Sequence, residues 1–226
     1  MISVIIPCFN MQDYLADAIE SVLAQQTKAE IIVIDDGSTD NSLAIARQYP
    51  IKVISQVNKG LASARNTGIM NATGDWILPL DADDGLNSNC IRLITERIRK
   101  TNVDIIGLSF CTFGTSKELI ILQDDATIED FKTGNRLGYC SAIKKSALIE
   151  IGGYNPKMTW GWEDLDLWFD LLKRGKKVSV IKEPVWLYRT KDTSMWTESV
   201  KHSDELWGQI KKNHPELFLT VDNPVD

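Results

Sequence analysis

Short apolar runs alternate with helix-like patterns through about the first 100 residues of the chain. The runs are almost entirely apolar, as expected of strands that are buried on both faces of a sheet. They predict strands at 2–6, 30–34, 51–54 and 76–80. Between them, apolar residues recur at helical spacing, which predicts helices over about 15–23, 44–49, 61–70 and 91–98. This alternation predicts the α/β class, with a mostly parallel central sheet flanked by helices.

The second half of the chain is less regular. Apolar runs predict further strands at 103–108, 118–122 and 177–181. Helical spacing predicts one helix over 163–172 and a weakly amphipathic one over about 197–213, whereas 124–138 is polar and reads as a mixture of helix and loop. Because the chain has no internal repeat and no low-complexity linker, we expect a single domain over residues 1–226.

Polar clusters follow three of the predicted strands, at 7–10, 35–40 and 81–84. In parallel sheets, ligands bind beyond the carboxyl ends of the strands. The last cluster holds Asp81, Asp83 and Asp84, whose charges repel one another. A divalent cation would offset that repulsion, and hard oxygen ligands suit Mn²⁺ or Mg²⁺. The alternative is a solvated turn, because Asp and Gly are common in turns.

The composition excludes several classes of function. A hydrophobic content of 43% and a charged content of 25% are ordinary for a globular protein. A net charge of −6 argues against nucleic acid as a partner. Four widely spaced cysteines and two histidines near the C-terminus do not form a zinc-binding pattern. Without a long apolar run or a basic leader, we expect a cytoplasmic protein.

Six strings, in chain order, resemble the signature segments of family 2 glycosyltransferases. They are the segments 4–10, 33–40, 58–68, 74–84, 152–155 and 162–166. The resemblance extends from about residue 2 to residue 196 and implies a single domain of the GT-A type. The donor-binding half would cover about 1–100, the acceptor-side half about 101–196, and a C-terminal tail 197–226.

The resemblance implies roles for residues of the donor half. The positions expected to bind the nucleotide are Pro7, Phe9, Asn10, Asp36, Arg65 and Asp81. Phe9 would stack on the base and Asp36 would accept a hydrogen bond from it, while Asp81 would meet the ribose. The planar guanidinium of Arg65 suits a diphosphate or a base edge. The alternatives are a core position for Phe9 and a solvated helical position for Arg65.

The resemblance also implies that Asp83 holds the Mn²⁺ or Mg²⁺ ion, with Asp84 as the alternative ligand. One departure concerns Lys191, which stands where the family often has a histidine. A protonated lysine cannot bind a metal ion, but it can bind a phosphate. Lys191 and Arg189 are therefore expected to stabilise the leaving diphosphate.

On the acceptor side, Asp164 is expected to be the general base. The dipole of the helix that begins beside it favours the ionised form, whereas neighbouring Glu163 raises its pKa. The rings of Trp160 and Trp162 would stack on an acceptor sugar. The alternatives are an ordinary acidic first turn for Asp164 and core packing for the tryptophans.

The resemblance implies an inverting hexosyl- or N-acetylhexosaminyltransferase. Its donor would be a nucleotide sugar, with UDP preferred because the family most often uses it. The acceptor would be a saccharide or a lipid-linked saccharide in polysaccharide or cell-surface glycan synthesis. Met195 and Trp196 suggest peripheral contact with the inner face of a membrane, although nearby basic residues are balanced by acidic ones. The sequence does not indicate an oligomeric state.

Two other functions remain open at this point. One is a non-catalytic module that binds nucleotide sugars or takes part in an assembly. The other is a sugar-1-phosphate nucleotidyltransferase, which would need a glycine-rich loop after the first strand to hold phosphates. The corresponding segment 7–12 contains no glycine, which argues against that enzyme.

Overall fold

Nine strands form one central sheet within residues 1–124 and 126–218, which are the residues described by the computed structural model. The strands are β1 (Ile2–Cys8), β2 (Glu30–Asp35), β3 (Lys52–Ser55), β4 (Trp76–Pro79), β5 (Gly85–Leu86), β6 (Ile105–Gly114), β7 (Leu119–Ile120), β8 (Ala142–Lys144) and β9 (Val178–Thr190). The helices are α1 (Leu15–Leu23), α2 (Ser42–Ala46), α3 (Leu61–Asn71), α4 (Cys90–Lys100), α5 (Ile128–Phe131), α6 (Lys145–Ile151), α7 (Glu163–Lys173), α8 (Met195–Lys201), α9 (Ser203–Asn213) and α10 (Pro215–Phe218).

The strand order in the sheet is β3-β2-β1-β4-β8-β6-β9-β5, with β7 beside β6. The longer ladders, β1 with β2 and β4, β2 with β3, and β6 with β9, are parallel. The antiparallel pairings, which involve β5, β7 and β8, are short. The prediction of an α/β fold with a mostly parallel sheet is therefore confirmed. The strand order reverses between β1 and β4, and ligands bind at such switch points.

Both faces of β1 are buried. Val4 and Ile6 point into the layer formed with α1 and α4, whereas Ile5 points into the opposite layer with α3 and α7. This explains why the strand is apolar throughout. On the second face, Gly68 lets α3 approach so closely that a Cβ there would collide with Ile5. α3 therefore packs closely against β1 and β2.

The structure differs from the sequence-based expectations mainly in the second half. The strand predicted at 177–181 continues to Thr190 as β9 and carries residues to the edge of the site. The helix predicted over 197–213 is two helices, α8 and α9, which meet at His202. Residues 219–226 of the expected tail lie outside the described residues. Within the described part of the chain, no helix has the length and apolar character needed to cross a membrane.

Candidate active site

Two adjoining cavities lie at the carboxyl ends of the central strands. The first has a volume of about 550 Å³, and among its lining residues are Pro7, Phe9, Asp36, Asp81, Asp83, Arg189 and Lys191. The second has a volume of about 630 Å³ and includes Asp164. Both are lined by Tyr188, Lys191, Ser194 and Trp196, which therefore form a shared wall. The structure thus brings Asp36, Asp83 and Asp164 to one double cleft.

Asp36 follows β2 and is 3% exposed. Its carboxylate accepts hydrogen bonds from Gln56 Nε2 at 2.7 Å and from the backbone N–H groups of Lys59 and Gly60 at 3.0 and 2.8 Å. These bonds tie the end of β2 to the loop that enters α3. The orientation of Asp36 at the cleft wall is therefore fixed by the protein itself.

Phe9 and Asn10 follow β1 and have different surroundings. Phe9 is 44% exposed and lines the first cavity, so its interpretation as a core residue is wrong. Asn10 lies outside the cavity, with a left-handed φ of 54°. Its side-chain oxygen accepts a hydrogen bond from the backbone N–H of Thr39 at 2.8 Å. Asn10 therefore joins the loops after β1 and β2.

The three aspartates after β4 point to different partners. Asp84 is 2% exposed and accepts hydrogen bonds from Tyr139 Oη at 2.5 Å, Trp186 Nε1 at 2.9 Å and the Arg189 backbone N–H at 2.7 Å. Burial raises the pKa of Asp84 to about 8. Asp84 thus anchors β9 and lines neither cavity.

Asp81 and Asp83 line the cleft, and each pairs with a basic residue. Asp81 Oδ1 lies 2.8 Å from Arg65 Nη2, and Asp83 Oδ2 lies 2.5 Å from Lys191 Nζ. Burial raises the pKa of Asp81 to about 6, although the Arg65 charge acts in the opposite direction. Both carboxylates keep their positions at the cleft wall through these ion pairs.

These two carboxylates fit a hard divalent cation. Among the described residues, no group of three or more His, Cys, Asp and Glu side chains forms a complete metal site. Mg²⁺ in nucleotide enzymes typically takes one or two carboxylates and completes its coordination with water and substrate phosphates. The carboxylate of Asp83 therefore suits a cation that is bound together with a diphosphate.

Arg65 lies behind Asp81, outside both cavities. It is 1% exposed, so the alternative of a solvated helical arginine is wrong. Its second terminal nitrogen, Nη1, lies 2.5 Å from Glu163 Oε1. The rings of Tyr139 and Tyr154 flank the guanidinium, with centroids at 5.0 and 5.2 Å. Arg65 therefore holds in place Asp81, which lines the first cavity.

Asp164 stands in the first turn of α7 and faces the second cavity. Its Oδ2 accepts a hydrogen bond from Asn135 Nδ2 at 2.7 Å. Burial, followed by the charge of Glu163, raises the pKa of Asp164 to about 7, whereas Arg65 acts to lower it. Burial thus outweighs the helix N-terminus that was expected to favour the ionised form. A carboxyl group with this pKa is suited to proton transfer near neutral pH.

The two tryptophans expected to hold an acceptor lie outside both cavities. Trp160 is 47% exposed and stacks on His202 with ring centroids 4.3 Å apart. Trp162 packs edge-on against Trp207 at 5.3 Å. The aromatic residues that line the second cavity are Phe110, Tyr139, Trp186, Tyr188 and Trp196. Only their aromatic character marked them in the sequence, and it does not distinguish a cavity wall from a core.

Arg189 lies next to the end of β9 and Lys191 directly follows the strand, and both line the first cavity. Arg189 Nε donates to the backbone oxygen of Asp83 at 2.8 Å, and its guanidinium lies over the rings of Phe113 and Tyr14 at 4.4 and 4.8 Å. Arg189 is therefore held in place on several sides. Lys191 lines both cavities, which is the position expected of a group that meets a leaving diphosphate.

Comparison with known proteins places this geometry in a family. The family model described as Glycosyl transferase family 2 matches residues 3–161. The putative teichuronic acid biosynthesis glycosyltransferase TuaG of Bacillus subtilis is 27% identical over 224 residues, which cover 92% of this chain and 86% of that protein. Glycosyltransferase GlyA of Streptococcus pneumoniae is 28% identical over 232 residues, covering 89% of this chain and 33% of GlyA.

Solved structures share the fold. TarS of S. aureus, in complex with UDP-GlcNAc, superposes with a TM-score of 0.74 at 17% identity, covering 98% of this chain and 76% of that one. The mannosyltransferase PcManGT of Pyrobaculum calidifontis, in complex with GDP-Man and Mn²⁺, gives a TM-score of 0.70 at 18% identity, covering 99% and 70%. These likenesses confirm the expected GT-A fold.

The uncharacterized glycosyltransferase EpsJ of Bacillus subtilis is 39% identical over 116 residues, which cover 49% of this chain and 34% of EpsJ. The chain thus spans about a third of the length of EpsJ and of GlyA. The matched model nevertheless covers well over half of the sequence, including the aspartates after β4. The chain belongs to glycosyl transferase family 2.

Proposed function

We propose that this chain is an inverting glycosyltransferase. It transfers a sugar from a nucleoside diphosphate to a hydroxyl group of a saccharide or a lipid-linked acceptor, in the synthesis of a polysaccharide or a cell-surface glycan. The observation that supports this proposal most directly is that the cavity lined by Asp36 and Asp83 adjoins the cavity lined by Asp164. Lys191 lines both cavities. This arrangement supports the proposal because a donor's diphosphate in the first cavity and an acceptor's hydroxyl in the second could approach one anomeric carbon from opposite sides.

The first cavity is the proposed donor site. Phe9 offers an exposed ring for stacking on the base, and Asp36 offers a fixed carboxylate for the N–H of uracil. UDP is the proposed nucleotide, supported by the relative TarS, whose structures contain UDP-GlcNAc and UDP. Asp83 would hold the Mn²⁺ or Mg²⁺ ion, in line with the Mn²⁺ found with PcManGT, and Asp81 would meet the ribose. That ion supplies positive charge to the departing diphosphate.

The second cavity is the proposed acceptor site. Asp164, oriented by Asn135, takes the proton from the acceptor hydroxyl. The oxygen then attacks the anomeric carbon from the face opposite the nucleotide, through an oxocarbenium-like transition state. The bond to the diphosphate breaks as the new glycosidic bond forms, and the configuration is inverted. Lys191 and Arg189 offset the negative charge that grows on the leaving group.

The rim of the double cleft supports contact with a lipid-linked acceptor. Met195 and Trp196 of α8 are 49% and 65% exposed at this rim. We propose that this exposed pair makes peripheral contact with a membrane surface while the chain works on its cytoplasmic side.

The test is a transfer assay with a panel of nucleotide sugars, with Mn²⁺ present, and a panel of saccharide acceptors. NMR of the product should show the anomeric configuration opposite to that of the donor. Asp164→Asn should lose transfer but keep UDP binding. The matched control is Asp170→Asn, on the same helix but paired with Lys173, which should retain activity. Full transfer by Asp164→Asn would exclude Asp164 as the base, and UDP binding without any transfer would favour the non-catalytic alternative.

A further inference from the structure

Lys191 pairs with Asp83 where both side chains line the first cavity. The two groups form an ion pair, with Nζ and Oδ2 2.5 Å apart and side chains 25% and 16% exposed. The ammonium also lies 5.0 Å from the ring of Tyr14. A partly buried pair of this kind is screened by solvent less than a surface pair. Any cation that binds Asp83 must therefore compete with a cation that the chain itself supplies.

The two aspartates after β4 that line the first cavity each have a basic partner already. Arg65 pairs with Asp81, and Lys191 pairs with Asp83. A divalent cation that binds without a nucleotide would have to displace the Lys191 ammonium, and it would gain only the Asp83 carboxylate as a protein ligand. A cation that arrives with a diphosphate gains phosphate oxygens as ligands, and the displaced ammonium gains a phosphate oxygen as its new partner.

Lys191 is also the basic residue of the cleft that is best able to move. Arg65 is buried between two carboxylates, and the Arg189 guanidinium is held by the Asp83 carbonyl oxygen and two aromatic rings. A lysine is a compact charge on a flexible stem, so it can change partners by rotating its side chain. Neither Asp81 nor Asp84 replaces Asp83 as the partner of Lys191. Asp81 is already paired with Arg65, and Asp84 already accepts the hydrogen bonds that anchor β9.

From these contacts we infer that Lys191 is an internal counter-ion that exchanges between two partners. Without a donor it holds Asp83 and opposes the binding of a free divalent cation. When the nucleotide and the cation bind together, the ammonium leaves Asp83 and contacts the diphosphate. The cation and the nucleotide therefore bind cooperatively, and the nucleotide alone retains affinity through Lys191. This inference rests on the proposed function, because it assumes that the first cavity takes a nucleoside diphosphate.

The experiment measures two affinities on the whole chain. The affinity for Mn²⁺ alone is followed by the EPR signal of the free ion, and the affinity for UDP in chelator is followed by calorimetry. Lys191→Met should bind Mn²⁺ on the order of tenfold more tightly than the wild type, and UDP without metal on the order of tenfold more weakly. Lys182→Met is the matched control, since Lys182 lies on β9, the strand that Lys191 directly follows, and pairs with Asp124 at 3.6 Å, outside both cavities. It should change neither affinity.

A second variant guards against misfolding. Lys191→Arg keeps the positive charge and should keep the weak Mn²⁺ affinity of the wild type, and circular dichroism verifies that each variant is folded. An unchanged Mn²⁺ affinity in folded Lys191→Met, or an equal increase in Lys191→Arg, would overturn the inference. If the wild type binds no nucleotide in either condition, the proposed function itself fails. The two failures are therefore distinguishable.

Discussion

Arg65 of α3 and Glu163 of α7 form a buried ion pair, with 2.5 Å between Nη1 and Oε1. The other terminal nitrogen of the same guanidinium lies 2.8 Å from Asp81. The buried charge of Arg65 therefore connects Asp81, which lines the first cavity, to Glu163, which precedes Asp164. Burial opposes the charged form of Arg65, but the two carboxylates together raise its pKa well above the usual range. The guanidinium remains charged and holds the two halves of the cleft together.

Replacing Arg65 should be strongly destabilising. Arg65→Met leaves two carboxylates without their counter-ion, so the free energy of unfolding in urea should fall by about 3–5 kcal/mol. The matched control is Arg92→Met, which breaks an exposed pair with Glu96 on α4 and should cost less than about 1 kcal/mol. Equal losses in the two variants would contradict a structural role for the buried network.

The rate of transfer should depend on pH through Asp164. The pKa of its carboxyl group is raised to about 7, and only the ionised form can accept the acceptor's proton. Measured kcat/KM should therefore rise with pH and level off above a midpoint near 7. Asp164→Asn should have a much lower kcat/KM, and its kcat/KM should no longer rise with pH. A profile that stays flat from about two pH units below that midpoint to about two above it would argue against Asp164 as the titrating group.

The same raised pKa has a consequence for stability. The folded state holds the Asp164 proton more tightly than the unfolded state, so this group's contribution to stability is complete below its ordinary pKa of 3.8 and is lost as pH rises through about 7. Asp164→Asn carries no charge and escapes that loss. Thermal unfolding should therefore show a higher Tm for Asp164→Asn than for the wild type in alkaline buffer, with a smaller difference in acidic buffer. A lower Tm for the variant in alkaline buffer would contradict this.

Asp83 and Asp84 should respond differently to the same substitution. Asp84→Asn replaces one of the two acceptor oxygens with an NH2 group that cannot accept, so at least one of the three donors loses its partner. Unfolding in urea should become easier by about 1–3 kcal/mol, while the effect of Mn²⁺ on UDP affinity is retained. Asp83→Asn should be nearly as stable as the wild type, but calorimetry should show that Mn²⁺ no longer changes its affinity for UDP. Loss of the Mn²⁺ effect in folded Asp84→Asn alone would assign the metal ligand to Asp84.

The sequence was most informative where local pattern and burial coincide. β1, β2 and β4 were predictable because each is apolar on both faces, and the polar residues at their ends had to gather at one edge of the sheet. The separate roles of Asp81, Asp83 and Asp84 were not predictable. Their directions depend on Arg65, Lys191 and Trp186, which reach them from distant segments of the chain.

The acceptor side was less predictable for a similar reason. Trp160 and Trp162 lie close to Asp164, the proposed general base, in sequence, yet they pack against His202, between α8 and α9, and Trp207 of α9. Trp196 instead reaches the cavity, because β9 continues to Thr190 and delivers the chain to its rim. Pairings of this kind arise from tertiary contacts and leave no periodic signal in the sequence.

Binding of UDP in the presence of Mn²⁺, measured by calorimetry on the wild type, Phe9→Ala and Asp83→Ala, tests the donor cleft most directly. The account predicts one UDP per chain, a loss of about 1–3 kcal/mol of binding free energy in Phe9→Ala through the lost base stacking, and no Mn²⁺ effect in Asp83→Ala. Absence of UDP binding by the wild type, or unchanged affinity and Mn²⁺ dependence in both folded variants, would contradict it.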